Sequence, residues 1–499
     1  MSLSPLRLRL LVTSLLTVSF LGALDHTIVA TSLATVAGDL GALQHMAWVV
    51  VGYTLASTVL LPVLGKLGDL IGPRLVFLTS LVVFLAASVA CGFAQDMTQL
   101  VIARVAQGMS AAGIQLMSQT IIAHVTTPRE RPKYLGIIGA AFPAAILIGP
   151  VLGGLITDYW GWPWVFWINI PFGLAALGLA VFAVPHVEVG IRRRFDLAGA
   201  ITFTLAMVAL VLAVTWVGDP AAALAAMVAF TIAAIGFAAF FVIEYRVSEP
   251  IVPLRLFADR TIAAGIALSA IIGIGLFSVT AYLPTYFQMA YRTSATVSGF
   301  VPIATVFGML VSNVGTGWLA SRTGHYRVFP IIGTTLGAVG LLTMALLPVG
   351  TPLWVPMAVM FGVGVGTGSF MSLVVAVVQG AVPRNETGTI TATINLVRQM
   401  GSTVATAVIG GVIGVGVASR LPGILDASTL TPQLVKESSD QLQSQVAQIY
   451  GDVMAPVFLA LALTYAVGIV AAVLLPAGRL SDEHEPSPEP EPASEPLTA

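Results

Sequence analysis

Fourteen apolar stretches, each long enough to cross a bilayer as a helix, recur along this chain of 499 residues. A hydrocarbon core of about 30 Å is crossed by about 20 residues of α-helix. The stretches fall near 9–33, 45–64, 75–94, 98–123, 134–157, 164–185, 197–217, 222–243, 262–288, 297–320, 328–348, 353–379, 390–418 and 453–476. Breakers such as Gly72-Pro73, Gly218-Asp219-Pro220 and Pro348-Val349-Gly350 separate them. Inside hydrocarbon a segment must satisfy its own backbone polar groups, so the fold class is an all-α polytopic membrane protein. Only 9% of residues are charged, against about 25% in soluble domains. A net charge of −1 argues against a nucleic-acid partner. The single cysteine, Cys91, lies in an apolar run with no metal-ligand spacing around it. Arg7 and Arg9 precede the first stretch as in a signal peptide, but its length and the want of a small-residue cleavage site read as a span.

The basic residues test this map. With the N-terminus inside, seventeen of the 22 Lys and Arg fall on the cytoplasmic side, and Arg292, Arg420 and Lys436 fall outside. The last two, Arg104 and Arg398, lie within spans. This asymmetry follows the positive-inside rule and puts both termini in the cytoplasm.

The chain also repeats. Gly65, Leu67 and Gly72 recur as Gly317, Leu319 and Gly324, at an offset of 252; Pro128-Arg129 recurs as Pro383-Arg384, at an offset of 255. Six spans take fewer residues than that, so two extra spans lie between the repeats. The expected organisation is a six-helix half over 1–190, two inserted helices and linkers over 191–260, and a second six-helix half over 261–479. The second half carries an external loop, 419–452. The acidic, proline-rich 480–499 is expected to be a disordered cytoplasmic tail. Parallel halves facing a central cavity are a transporter arrangement. No GxxxxGK[ST] phosphate loop occurs, since Lys66 is followed by Leu67; an ion gradient is the expected energy source.

Charges at membrane depth are costly and mark function. Asp25 in span 1 is a candidate proton carrier, because a low dielectric disfavours the charged carboxylate and a nearby cation favours it. Arg104 in span 4 is that cation; Gln107, Ala111, Gln115 and Ser118 share its helix face. Asn395, Arg398, Gln399 and Ser402 form a second polar face in span 13. Tyr282, Tyr286 and Gln288 in span 9 are further candidates to line the cavity.

At these residues the chain resembles the major facilitator superfamily. GKLGDLIGPR (65–74) looks like its loop 2–3 signature, and LVIARVAQGMSAAG (100–113) resembles its span 4 motif. AAILIGPVLGG (144–154) resembles the span 5 antiporter motif through Gly149, Pro150, Gly153 and Gly154. LDHTIV (24–29) is similar to span 1 of the fourteen-span drug:proton antiporters of EmrB/QacA type. WVFWINIPFG (164–173), RRFDLAG (193–199), EPIVPLRLF (249–257) and LVRQMGS (396–402) extend the likeness over nearly the whole chain. Leu70, Pro73, Ala145 and Pro163 depart from the usual motifs.

The resemblance implies a proton-coupled exporter of hydrophobic small molecules, cationic drugs among them, that works by alternating access. It would be a non-enzymatic monomer in the inner (plasma) membrane, without cofactors, whose partners are substrate, protons and lipid. Asp25 and Arg104 would couple protons. Gly149 and Pro150 would give close packing and a bend in span 5. Gly65, Asp69, Gly72 and Arg74 would form a cytoplasmic hinge and latch. Uptake, or carriage of a specific metabolite, siderophore or lipid, stays open. So does, more distantly, a membrane-embedded enzyme or lipid-handling structural protein.

Overall fold

The computed structural model describes residues 4–40, 46–186, 195–216, 222–247, 249–420, 432–436 and 438–480. The first half begins with α1 (Pro5–Asp39), α2 (Met46–Ile71), α3 (Pro73–Gly92) and α4 (Met97–Val125). Two spans then come in two pieces each: α5 (Arg131–Gly139) with α6 (Ala141–Trp160), and α7 (Pro163–Trp167) with α8 (Asn169–Ala183). The inserted pair is α9 (Leu197–Trp216) and α10 (Ala223–Arg246). The second half has α11 (Arg260–Ile272) and α12 (Ser278–Ala290), α13 (Ala295–Thr323), α14 (Val328–Leu346) and α15 (Trp354–Gln379). It continues through α16 (Thr387–Ala418), the short α17 (Pro432–Lys436) and α18 (Asp440–Leu474). Among the described residues thirteen spans are long and apolar enough to cross a membrane. The fourteenth crossing is α11 joined to α12 through a π-turn at Gly273–Phe277.

Local chemistry sets the ends. Gly72 takes φ 94, a left-handed value open to glycine, and Pro73 starts α3 at once. Asp96 accepts from the Gln99 amide at 2.8 Å and so caps α4. Span 5 breaks at Ala140, where Pro143 has no N–H to offer the Gly139 carbonyl. α6 runs through Pro150 without interruption.

The external loop is shorter than the sequence implies. Ser439 caps α18, which therefore starts at Asp440 and runs into the membrane as one helix, burying Val446, Ala447 and Tyr450 on the way. The polar half of 419–452 is thus largely helical. Most of the acidic tail lies outside the described residues; Leu480 donates its amide to the Gly324 carbonyl at 2.9 Å.

One face of the molecule carries the start of α1 and the residues that follow α18. On it Arg7 reaches the Ala183 carbonyl (3.3 Å) and Leu480 the loop after α13. Here the halves meet along a seam with no room for a Cβ at its glycines. A Cβ at Gly65 in α2 would stand 2.5 Å from Ala392 Cβ and 2.8 Å from the Gly388 carbonyl. A Cβ at Gly136 in α5 would stand 2.8 Å from the Asn313 carbonyl, and Gly317 meets the Pro132 carbonyl. Gly317 follows Gly65 by 252 residues, and Gly388 follows Gly136 by the same interval. The repeat in the sequence is therefore a pair of equivalent contacts, α2 on α16 and α13 on α5.

Candidate functional site

Asp25 sits in α1 with no exposed surface, and side chains of two other helices, α4 and α8, converge on its carboxylate. Arg104 Nη1 of α4 donates to Oδ2 at 2.5 Å. Gln107 Nε2, one turn along α4, donates to Oδ1 at 2.8 Å, and Asn169 Nδ2 at the start of α8 donates to the same oxygen at 2.9 Å. Ser88 of α3 accepts from Gln107 (2.8 Å) and from Asn169 (3.3 Å). The guanidinium is held from its other sides. Gln107 Oε1 accepts at 2.7 Å and the Val49 carbonyl at 3.3 Å, while the Tyr53 ring lies 4.2 Å beneath. Cys91 donates to Gln107 Oε1 at 3.5 Å. His26 turns away toward α2, 3.4 Å from Thr54 Oγ1.

This is a closed network. Burying two charges costs more than their attraction returns unless the remaining lone pairs and protons are satisfied; here the amides, hydroxyl and aromatic face do that. A proton delivered to Asp25 would remove its charge while Arg104 kept three other partners. Sequence reasoning names Asp25, Arg104 and Gln107; it misses Asn169, Ser88 and Tyr53. Asn169 carried a signal, being an amide inside the apolar run WVFWINIPFG.

The network is tied to span 5 through its own helix. Thr27, two residues past Asp25, donates to the Ala145 carbonyl at 3.1 Å and fills the space above Gly149. Gly153 lies against Thr31 and the Ile28 carbonyl, whereas Gly154 faces open space.

The residues grouped as a latch divide. Asp69 works across the seam: the Gly388 amide donates to Oδ1 at 2.8 Å, and the Thr389 amide and hydroxyl each donate to Oδ2 at 2.7 Å. It thereby caps α16, whose own N-cap residue Glu386 supplies no side-chain bond. Arg74 instead lies within the first half and donates to the Val184 (2.5 Å) and Val181 (2.7 Å) carbonyls at the end of α8. Gly72 makes the turn that sends it there. A contact missed in the sequence complements Asp69: Arg129 donates to the Ser321 (3.0 Å) and Arg322 (2.8 Å) carbonyls at the end of α13.

Of the other cavity candidates, Asn395 donates to Gln119 Oε1 of α4 at 2.9 Å and accepts from Arg398. Gln399 is half-buried beside them, and Gln115 is exposed. Tyr282 donates to the Thr406 carbonyl at 2.8 Å. Gln288 donates to Ser298 at 3.1 Å, near the end of the molecule opposite the seam, away from Asn395 and Arg398. An apolar cavity of about 790 Å³ lies among α1, α5, α6, α8 and α13, lined by Leu16, Phe20, Leu24, Ala144, Phe172 and Leu310 among others. No cluster of His, Cys, Asp or Glu fit for a metal occurs among the described residues.

Comparison with known proteins agrees with this architecture. The sequence profile of the Major Facilitator Superfamily matches residues 15–406. An MFS-type transporter of Mycobacterium tuberculosis (strain ATCC 25618 / H37Rv) is 33% identical over 491 residues, covering 97% of this chain and 72% of that protein. Multidrug transporter protein MdtP of Bacillus subtilis (strain 168) is 30% identical over 516 residues, covering 95% and 94%. The crystal structure of the human organic anion transporter MFSD10 superposes with a TM-score of 0.63 over 94% of this chain and 100% of that one, at 14% identity, a likeness of fold alone. The chain therefore belongs to the major facilitator superfamily.

Proposed function

We propose that this transporter is a proton-coupled exporter of hydrophobic small molecules, an antiporter working by alternating access across the plasma membrane with both termini in the cytoplasm. The observation that carries the reading is the sealed Asp25–Arg104–Gln107–Asn169 network, the site where a carboxylate is buried in mid-span and charge-paired. Proton binding at Asp25 removes the charge attraction between α1 and α4 and so loosens their tie. The Gly149 and Gly153 contacts pass the resulting movement of α1 to span 5, which carries Gly136 in the seam. Proton occupancy in the first half and closure between the halves are in this way linked through packed helices.

The seam is closed in this conformation. α16 is buried without a break from Thr387 to Leu396, and beyond Arg398 only Ile409 and Val417 are buried. With cytoplasmic termini this is a state shut to the cytoplasm. The apolar cavity beside Leu24 suits a hydrophobic ligand, and export fits the multidrug transport for which MdtP is named.

The test is transport in vesicles that hold the purified protein inside-out, with an acid lumen and a lipophilic fluorescent dye outside. Dye should accumulate while the pH gradient lasts and leak when a protonophore collapses it. Accumulation indifferent to the gradient would remove proton coupling, and gradient-driven dye loss would indicate uptake instead.

A further inference from the structure

The charges inside the membrane span do not balance where a ligand would sit. Among the described residues three carboxylates are buried: Asp25, Asp196 and Glu244. Asp196 lies at the start of α9 and accepts from the Gly199 amide. Glu244 lies near the end of α10 and accepts from the Ile251 and Val252 amides. Asp25 alone is in mid-span, and Arg104, Gln107 and Asn169 occupy both its oxygens. A cationic ligand therefore finds no free carboxylate at membrane depth.

The cations differ. Lys66 is paired with Glu249 at 2.9 Å, and Arg104 with Asp25. Arg398 is buried to 9% exposure, and its guanidinium meets no carboxylate among the described residues; its hydrogen bond goes to the amide oxygen of Asn395. That amide is fixed in orientation, because Asn395 Nδ2 donates to Gln119 Oε1 and to the Thr391 carbonyl, both at 2.9 Å. A guanidinium has five donors in a planar fork suited to a carboxylate, so Asn395 leaves most of them free.

Its place is also specific. Arg398 stands where the continuous burial of α16 ends. Its backbone carbonyl packs on Gly273, the first residue of the π-turn that interrupts the span formed by α11 and α12. A buried cation without a counter-ion is unfavourable, and an anionic ligand would relieve it.

We propose that Arg398 anchors the negative charge of the transported molecule, so that the protein selects amphipathic anions, an apolar body bearing a carboxylate, sulfonate or ionised phenol, over cations of the same shape. The inference rests on reading the chain as an exporter whose transport path passes Arg398, and it revises the expectation of cationic substrates.

The test is equilibrium binding to the full-length protein in nanodiscs, read by calorimetry without any gradient. The probes are naphthalene-2-carboxylate, naphthalene-2-carboxamide and naphthalen-2-ylmethylammonium, matched in shape and carrying charges of −1, 0 and +1. The carboxylate should bind at least about tenfold tighter than the carboxamide, as one charge-assisted hydrogen bond would give. Arg398→Gln should reduce that ratio to within about twofold while carboxamide binding persists. Arg398→Lys, which keeps the charge and loses the fork, should hold an intermediate ratio; it decides the matter if the glutamine variant is not monodisperse. Equal affinities, no binding of the carboxylate, a preference for the ammonium probe, or a ratio unchanged in both variants would overturn the proposal. Because no gradient is applied, these outcomes are independent of whether vesicles show proton-driven flux.

Discussion

Asp25 and Arg104 form a pair that can lose its charge balance without coming apart. In Asp25→Asn the amide keeps the shape of the side chain and Arg104 retains Gln107, Val49 and the Tyr53 ring. Removing one partner of a buried pair costs about 3–5 kcal/mol, and these retained partners keep Arg104 from being left wholly unpaired. The variant should therefore purify as a monodisperse protein with a lower melting temperature in detergent. Asp25→Ala, which also strands Gln107 and Asn169, should melt lower still; a reversed order would show that the amides do not support the site. Asn169→Leu should cost about 1–3 kcal/mol by the same thermal measurement, since it leaves Asp25 Oδ1 and Ser88 short of a donor. Asp25 and Arg104 were legible in the sequence because a charge in an apolar run stands out. Asn169, Ser88 and Tyr53 were not, because single amides, hydroxyls and phenols are common in spans and only their convergence in space marks them.

At the scale of helices, α16 begins with a cap borrowed from the other half. Asp69 supplies it, so the α2–α16 contact is both a packing seam and a helix-terminus interaction. Asp69→Asn keeps one acceptor oxygen and loses the charge that favours a helix N-terminus, worth about 0.3–1 kcal/mol on an exposed helix and up to about 2 kcal/mol when partly buried. That is enough to shift a conformational equilibrium several-fold and too little to unfold the protein. The expected result in vesicles is a lower turnover rate with half-saturating substrate concentration little changed; the converse would detach Asp69 from the conformational cycle. Gly65→Leu goes further, because no atom fits between α2 and α16. Spin labels on the ends of these helices should report a longer separation in that variant, and an unchanged distance would mean that the seam does not depend on glycine there. The glycine repeat was visible in the sequence. The division of the latch was not: Asp69 and Arg74 are neighbours in sequence, but the turn at Gly72 sends them to different helix ends. The π-turn and the start of α18 were equally hidden, since apolar periodicity does not register one extra residue per turn, and a polar run reads as loop until its cap is recognised.

For the whole molecule, the inserted pair α9 and α10 is more than a spacer. Phe203, Met207 and Phe240 pack in one cluster with Val59 of α2 and Leu396 of α16, so the pair touches both halves. The linker after α10 is tied to the first half by Lys66–Glu249 and to the second by Arg255–Glu386. The two ties differ in weight. Lys66 is buried, whereas the Arg255 side chain is 67% exposed, and exposed pairs contribute about 0–1 kcal/mol. Glu249→Gln, which leaves a buried ammonium unpaired, should lower both stability and transport rate, and Arg255→Gln should leave both near wild type. Equal losses in the two variants would mean that burial is not what distinguishes them. The sequence showed six plus two plus six helices through its repeat offset; it did not show which seam the two cover, because that depends on contacts far apart in the chain.

In the proposed mechanism, protonation of Asp25 drives the cycle of a transporter that otherwise works by the same moving parts. The most direct measurement compares wild type and Asp25→Asn in the same vesicles, reading both pH-gradient-driven accumulation and gradient-free exchange of labelled for unlabelled substrate. The variant should lose accumulation and keep exchange, since the halves still move when substrate is bound but no proton pulls them. Accumulation at the wild-type level by Asp25→Asn would contradict it.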